Sequence, residues 1–422
     1  MTSPAPAVLA WINSAANWLT PNRIRAQAFV LAVCLWGVCA VDFATPGLFD
    51  RAGNIKFQDF LQFYISARLI NQGRSSQLFD QRVADQEMHA IVREQTRVQL
   101  PTVYGPQVGL LFAPLARLSF PAAACIWVAL SLLAVAACLY LLWRSCPALR
   151  WHASSVAICA AAFPPLFHFF VRGQISALLL LCVSAAFLAF RADRDWLAGI
   201  ALGCLVFKPQ FLVAIPLILL LAQAWKALAG LVLAAAGQLA LTAIYFGTAV
   251  MRLYFNTMLH ISRWVGVSEI GAAHIQMHSL RSFWTLLLPW PTIALGLYVV
   301  TSIAAIAIAA AIWKSSSALA VRFSALILAS VLVNPHLFIY DLLVLAPAFL
   351  LLVDWILRAQ PESAPLLHVL LYLSFMLPLL GPLSRWTHLQ LSVLAFAALL
   401  WLLWRDSKIP IHKFASNQPA VV

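Results

Sequence analysis

The sequence predicts an all-α, polytopic membrane protein, and two observations carry that prediction. Hydrophobic residues make up 63% of the chain and charged residues only 10%, against about 25% charged in soluble domains. The apolar residues also run in long unbroken stretches. A bilayer offers the backbone no hydrogen-bond partners, so only helices or a closed barrel can cross it. Unbroken runs exclude the alternating strands of a barrel, which leaves helices. The expected architecture is a helical bundle of about 12 transmembrane spans, with amphipathic helices in the first outer loop.

The spans follow in order. Asn22-Arg23-Ile24-Arg25 precedes the first, at 26–45. It reads as an uncleaved signal anchor, because no basic region followed by a small-residue cleavage site comes before it. Residues 46–104 are then a first outer loop with helical patterns at 57–70 and 80–96; Asp80 suits the N-cap of the second. Val108 to Leu118 reads as a short membrane-dipping element ahead of a span at 122–143. A span at 153–170 is broken near its end by Pro164-Pro165, and 175–190 returns. Spans 196–207 and 211–222 are short for a bilayer core of about 30 Å. They either include their turn, Lys208-Pro209-Gln210, or border a thinned, water-accessible cavity. Further spans are expected at 227–246, 291–313, 318–333, 337–356, 364–380 and 386–404. A second outer segment, 247–290, holds Arg252, Arg263, Glu269, His274, His278 and Arg281.

Charge orients the bundle. Arg144, Arg150, Arg191, Arg194, Lys226, Lys314, Arg358 and Arg405 fall in alternate short loops, which the positive-inside rule assigns to the cytoplasm. The expected domain map is a cytoplasmic segment 1–25, one membrane domain 26–405 containing the outer loop 46–104, and a cytoplasmic tail 406–422. The expected location is the plasma (inner) membrane, with the functional face outside. The net charge of +13 is spread singly between apolar spans, which argues against a nucleic-acid partner and for contact with anionic lipid. The eight cysteines form no C-x-x-C; all but Cys146, near a basic loop, sit in apolar runs, and they read as free buried thiols.

The acids are the sharpest chemical signal. Asp193, Asp195, Asp354, Glu362 and Asp406 belong to the inner side, and Asp59, Asp341 and the remainder to the outer side. None lies mid-span, where a proton-coupled transporter would place one. Asp59 sits on a helix whose apolar face is Phe57, Phe60, Leu61, Tyr64 and Leu69 and whose polar face is Asp59, Gln62 and Ser66. Either that helix lies on the membrane surface with Asp59 in water, or Asp59 is the chemical centre of an enzyme. Arg172 and Lys208 occupy tight outer turns, where they either snorkel to headgroups or bind phosphate. Pro335 fits a helix start, with His336 and Tyr340 on one face and Asp341 beside them. No nucleotide-binding glycine loop and no H-E-x-x-H is present. His274 and His278 have ligand spacing but no third partner nearby, so no metal and no cofactor is expected.

In order along the chain these features resemble glycosyltransferase family 87, polyprenyl-phosphate-sugar-dependent transferases of the GT-C superfamily. The matching residues are Gln58-Asp59-Phe60 with Tyr64 and Ala67, then Leu78-Phe79-Asp80 after Gly73, and Tyr104-x-Pro106 before Leu111-Phe112-Ala113-Pro114. They continue with Gly173-Gln174, Leu197-Ala198-Gly199 through Gly203 to Lys208-Pro209-Gln210, and Pro335-His336 with Tyr340-Asp341. The chain departs at Phe79, where the family often has Tyr, and at Tyr104-Gly105-Pro106, where it often has Tyr-Pro-Pro. The resemblance implies transfer of a sugar, often mannose, from a polyprenyl-phosphate donor to a lipid or glycan acceptor, usually with inversion. It implies Asp59 as general base and Arg172, Lys208 and His336 near the donor phosphate. Gln62, Tyr64, Tyr104, Gln174, Gln210, Tyr340 and Asp341 are then the candidate substrate-binding residues. The competing reading is a polytopic transporter or lipid flippase, which leaves the folded first outer loop unexplained. The oligomeric state is not legible.

Overall fold

The computed structural model describes residues 6–92, 100, 102–264 and 275–408. Among these the regular elements are helices, apart from two isolated bridges pairing Phe49 with Ile55 and Met277 with Phe338. Pro6–Trp18 (α1) and Pro21–Phe43 (α2) open the chain. Gln58–Asn71 (α3), Gln81–Val92 (α4) and Pro106–Phe112 (α5) build the first outer loop, and Phe120–Arg144 (α6) follows. Ala153–Ala161 (α7) and Pro164–Arg172 (α8) form a pair bent by 53° before the two prolines, a broken span or a re-entrant loop. Ser176–Arg191 (α9) and Asp195–Gly203 (α10) come next. Short 3-10 turns then bracket Lys208, and Ala214–Leu221 (α11) descends from them.

Trp225–Trp264 (α12) is two helical stretches joined across a kink at Gly247, whose φ of +82° and ψ of 160° are not helical. Leu280–Leu287 (α13), Pro291–Lys314 (α14) and Leu319–Val333 (α15) follow. A 3-10 segment, Ile339–Val344, runs into Leu345–Ala359 (α16). Ala364–Met376 (α17), Ser384–Thr387 (α18) and Leu391–Ser407 (α19) complete the bundle.

Among the described residues six helices are long and apolar enough to cross a membrane, or up to seven if the bent pair is one span. The expected figure of about twelve is not reached on length. Ser176–Arg191, Asp195–Phe207, Pro209–Leu221 and Leu319–Val333 are shorter apolar helices. Their ends at Ser176, Lys208 and Asn334 are buried, so they stop inside the protein. The outer surface of the long helices is apolar, with Phe29, Leu133, Leu241 and Ile244 exposed, as lipid contact requires. Cys34 and Cys125 also face outward, so the expectation that the thiols are buried fails at these two.

The surroundings of α3 decide between its two readings. It is not a surface helix: Phe60, Leu61, Phe63, Tyr64, Ile65, Ser66, Ala67 and Leu69 are all buried. The sequence showed a helix with two faces, but a second layer of protein covers the polar one. Phe60 packs against Phe112, Phe120 and Trp127, with ring centroids 5.6, 6.0 and 6.4 Å away. Lys56 fixes the entry to α3 by donating to the carbonyls of Phe43 and Thr45 at 3.2 and 2.5 Å. Glu87 on α4 ties that helix to the end of α3 through Arg68 and Arg74, at 3.4 and 2.7 Å. Asp80 caps α4 as expected, accepting from the Arg82 N–H at 2.9 Å.

Close helix approach shapes the middle of the bundle. A Cβ on Gly199 of α10 would stand 2.0 Å from the Ala227 carbonyl of α12. Small residues let membrane helices touch backbone to backbone in this way.

Candidate active site

Five segments converge on one polar cluster at the end of the bundle that carries α3. Asp59 lies in the first turn of α3 with 15% of its side chain exposed. Arg172 ends α8, Gln174 and Ser176 sit at the start of α9, and Lys208 fills the turn between the two short helices. Tyr340 and Asp341 belong to the 3-10 segment before α16.

The turn after α8 brings α3 and α9 together. Gly173 has φ +66°, and a Cβ there would lie 2.9 Å from the Phe60 Cβ and 3.2 Å from the Phe57 Cβ. Only a residue without a side chain fits both the left-handed turn and the contact. The Gly173 carbonyl accepts from the Trp127 indole N–H at 3.1 Å, which locks the turn against α6. Arg172 and Gln174 are thereby held on either side of the first turn of α3.

Asp59 is bound on both oxygens. Its Oδ2 accepts from Gln174 Nε2 at 2.8 Å, and its Oδ1 is 3.6 Å from an Arg172 nitrogen. Gln174 cannot turn its amide around freely, because its Oε1 accepts from the Ile175 N–H at 3.1 Å and from the Tyr104 hydroxyl at 3.4 Å. Burial pushes the Asp59 carboxyl above its ordinary range. Arg172, the Gln174 hydrogen bond and Lys208 pull it back, while Asp341 adds to the rise. Burial outweighs the stabilising neighbours, which is the environment that makes a carboxylate a better proton acceptor.

Lys208 is the deepest charge. It is 1% exposed and ion-paired with Asp341, itself 2% exposed, and Asp341 also accepts from Ser176 Oγ at 3.0 Å. The Lys208 ammonium lies 5.2 Å from the Tyr340 ring and 5.9 Å from the Tyr104 ring. Its stem and head are thus enclosed by aromatics and one carboxylate, a favourable setting for a desolvated cation. Arg172 differs: it is 34% exposed and its ion pair is long. The cluster holds two carboxylates and two cations.

Asp59, Tyr104, Arg172, Gln174, Lys208, Tyr340 and Asp341 are therefore neighbours in the structure. Others are placed differently. Tyr64 is a core residue whose hydroxyl donates to the Leu118 carbonyl at 2.6 Å. Gln62 lines a small niche with Phe63, Ser66 and Tyr104. Gln210 is half-buried beside Lys208, and no side-chain hydrogen bond to the cluster is present among the described residues.

His336 is exposed, with its ring against Phe338 at 4.8 Å. The expected helix start at Pro335 is not there. Residues 334–338 are irregular: Phe338 bridges Met277, and the Leu337 carbonyl accepts from the His278 N–H at 3.0 Å. His336 and Tyr340 accordingly share no helical face. Helix geometry fails because the segment is bonded sideways to the second outer segment instead of to itself.

Ser176 was missed by sequence reading; a serine opening a leucine-rich span gives no signal of its own. His278 is buried with Nδ1 2.8 Å from Ser392 Oγ, and burial lowers its pKa to about 3. His274, Glu269 and the Arg263 side chain lie outside the described residues. Among the described residues no group of three or more His, Cys, Asp or Glu could hold a metal ion.

The chain was compared with known proteins. The sequence model of glycosyltransferase family 87 matches residues 102–344. That stretch contains every member of the cluster except Asp59, which joins it through Arg172 and Gln174. No curated protein and no solved structure matches the chain.

Proposed function

The chain belongs to glycosyltransferase family 87, and from that premise we propose an inverting membrane transferase that draws its sugar from a polyprenyl-phosphate donor. The acceptor is a lipid or glycan hydroxyl at the outer face of the plasma membrane. The observation that carries this reading is Asp59: a carboxylate raised by burial, held by Gln174 and next to a partly exposed arginine.

The chemistry needs few groups. Asp59 takes the acceptor O–H proton as that oxygen attacks the anomeric carbon. The bond from that carbon to the phosphate oxygen breaks, and polyprenyl phosphate leaves with the electron pair. Phosphate is already a good leaving group, so cations suffice in place of a general acid. Arg172 is the cation free to reach it, since a guanidinium suits two phosphate oxygens at once. His336, exposed on the neighbouring segment, is the second candidate. Lys208 acts through its field, because its ammonium is enclosed and paired with Asp341. When a phosphate engages Arg172, the Asp59–Arg172 pair loosens and the carboxylate becomes more basic. Donor binding thus prepares the base.

The test uses purified protein with a panel of polyprenyl-phosphate sugars, scored by mass spectrometry for transfer to extracted lipid or for hydrolysis. Asp59→Asn is expected to lower turnover by at least ~100-fold while donor binding persists, the usual scale for losing a general base. Undiminished turnover in that variant removes Asp59 from the mechanism.

A further inference from the structure

We propose that an apolar cavity toward the opposite end of the bundle is a binding site for an anionic phospholipid, with one acyl chain inside and the phosphate at Arg25 and His152. The cavity has a volume of about 430 Å³ and is walled by α2, α6, α7, α16 and α17. Sites for small ligands span roughly 300–1,000 Å³. Most of the wall is aliphatic or aromatic. Water is a poor occupant there, because a buried water needs two to four polar partners.

The polar lining gives the occupant its direction. Arg25 and His152 line the cavity and are exposed, so they mark where it opens. No Asp or Glu lines it. Among the described residues Arg25 takes part in no ion pair. Its neighbour Arg23 is committed, donating to the Trp18 carbonyl at 3.2 Å and lying 5.5 Å from the Trp18 ring. A guanidinium without an ion pair and an imidazole on the lining of one cavity suit a phosphate. A zwitterionic headgroup would bring its own cation to the same place.

Depth and confinement agree with a lipid. Trp11 and Trp18 of α1 are exposed, and indoles of this kind settle at headgroup level; α1 itself packs along α17. The Tyr372 hydroxyl donates to Gln27 Oε1 at 2.8 Å and ties α17 to α2 beside the cavity. The deep wall includes Phe163, Leu166 and Leu343. None of Asp59, Arg172, Gln174, Lys208 or Asp341 lines it, so the site is separate from the polar cluster.

Native mass spectrometry of the full chain in detergent, titrated with phosphatidylglycerol or phosphatidylcholine, tests the proposal. The wild-type protein is expected to retain phosphatidylglycerol in preference. Arg25→Gln with His152→Gln alters only exposed positions and should weaken phosphatidylglycerol binding about fivefold or more, the effect of one cation near a charged lipid, with phosphatidylcholine little changed. Ala160→Phe, inside the cavity, should weaken both. Equal retention of the two lipids by the wild type overturns the proposal, as does unchanged phosphatidylglycerol binding in the double variant. Displacement of phosphatidylglycerol by polyprenyl phosphate also overturns it, by giving the cavity to the donor's chain.

Discussion

At the scale of residues, the proposed mechanism turns on how Asp59 is ionised. A base works deprotonated, and burial holds this carboxyl above its ordinary range. Turnover should therefore fall on acidification with a midpoint above that of an exposed aspartate, read from a pH–rate profile. Gln174→Leu removes the hydrogen bond to Oδ2, so the midpoint should move to higher pH and the maximal rate should drop about tenfold. A profile that keeps its midpoint would mean that Gln174 only packs. Lys208 and Asp341 call for a different test. Asp341→Asn strands a buried ammonium and should cost about 3–5 kcal/mol in thermal unfolding in detergent, whereas Lys208→Met with Asp341→Leu should cost far less. Equal losses would show that the two charges are not coupled. Most of these residues were legible because ionisable groups are rare in an apolar chain. Their pairing was not: nothing in the spacing says that Lys208 would face Asp341 rather than a phosphate.

At the scale of elements, the turn at Gly173 decides whether Asp59 meets its partners. Gly173→Ala forces a side chain into a left-handed backbone, at about 1–2 kcal/mol, and into Phe57 and Phe60. It should push α3 away from α9 and lower turnover at least tenfold with little change in expression, measured in the same transfer assay. Full activity would mean that the first turn of α3 is not positioned by this contact. The sequence marked α3 correctly as a helix and left its surroundings open. An amphipathic pattern reports two faces but cannot say whether the polar one meets water or another polar surface. The 334–338 segment failed for a related reason. Proline favours a helix start, but here the backbone donors and acceptors are taken by Met277 and His278, a long-range pairing invisible in local sequence.

At the scale of the molecule, charge sets orientation. Arg144, Arg150, Arg191, Arg194, Lys226 and Arg358 lie at helix ends and turns opposite the polar cluster, and our reading puts that end in the cytoplasm. With the native cysteines replaced, a cysteine at Asp80, exposed at the cluster end, should react with a membrane-impermeant maleimide on intact cells. One at Arg194, exposed at the other end, should react only after lysis. The reverse pattern would turn the whole protein over and, with it, the face on which the acceptor is met.

The buried turn at Lys208 has one more consequence. The two helices leading to it are each no longer than 17 residues, at most about 26 Å at 1.5 Å per residue, against a hydrocarbon core of about 30 Å. On our reading of the spans, the turn then sits below headgroup level, as the floor of a sunken basin. A sugar already tethered to a lipid phosphate reaches that depth by sliding sideways. A bulky polymer arriving from solution would have to dip a free end several ångströms into the membrane plane. Under the proposed function, that depth would favour acceptors that are themselves anchored or end in a slender chain, a steric filter set by helix length.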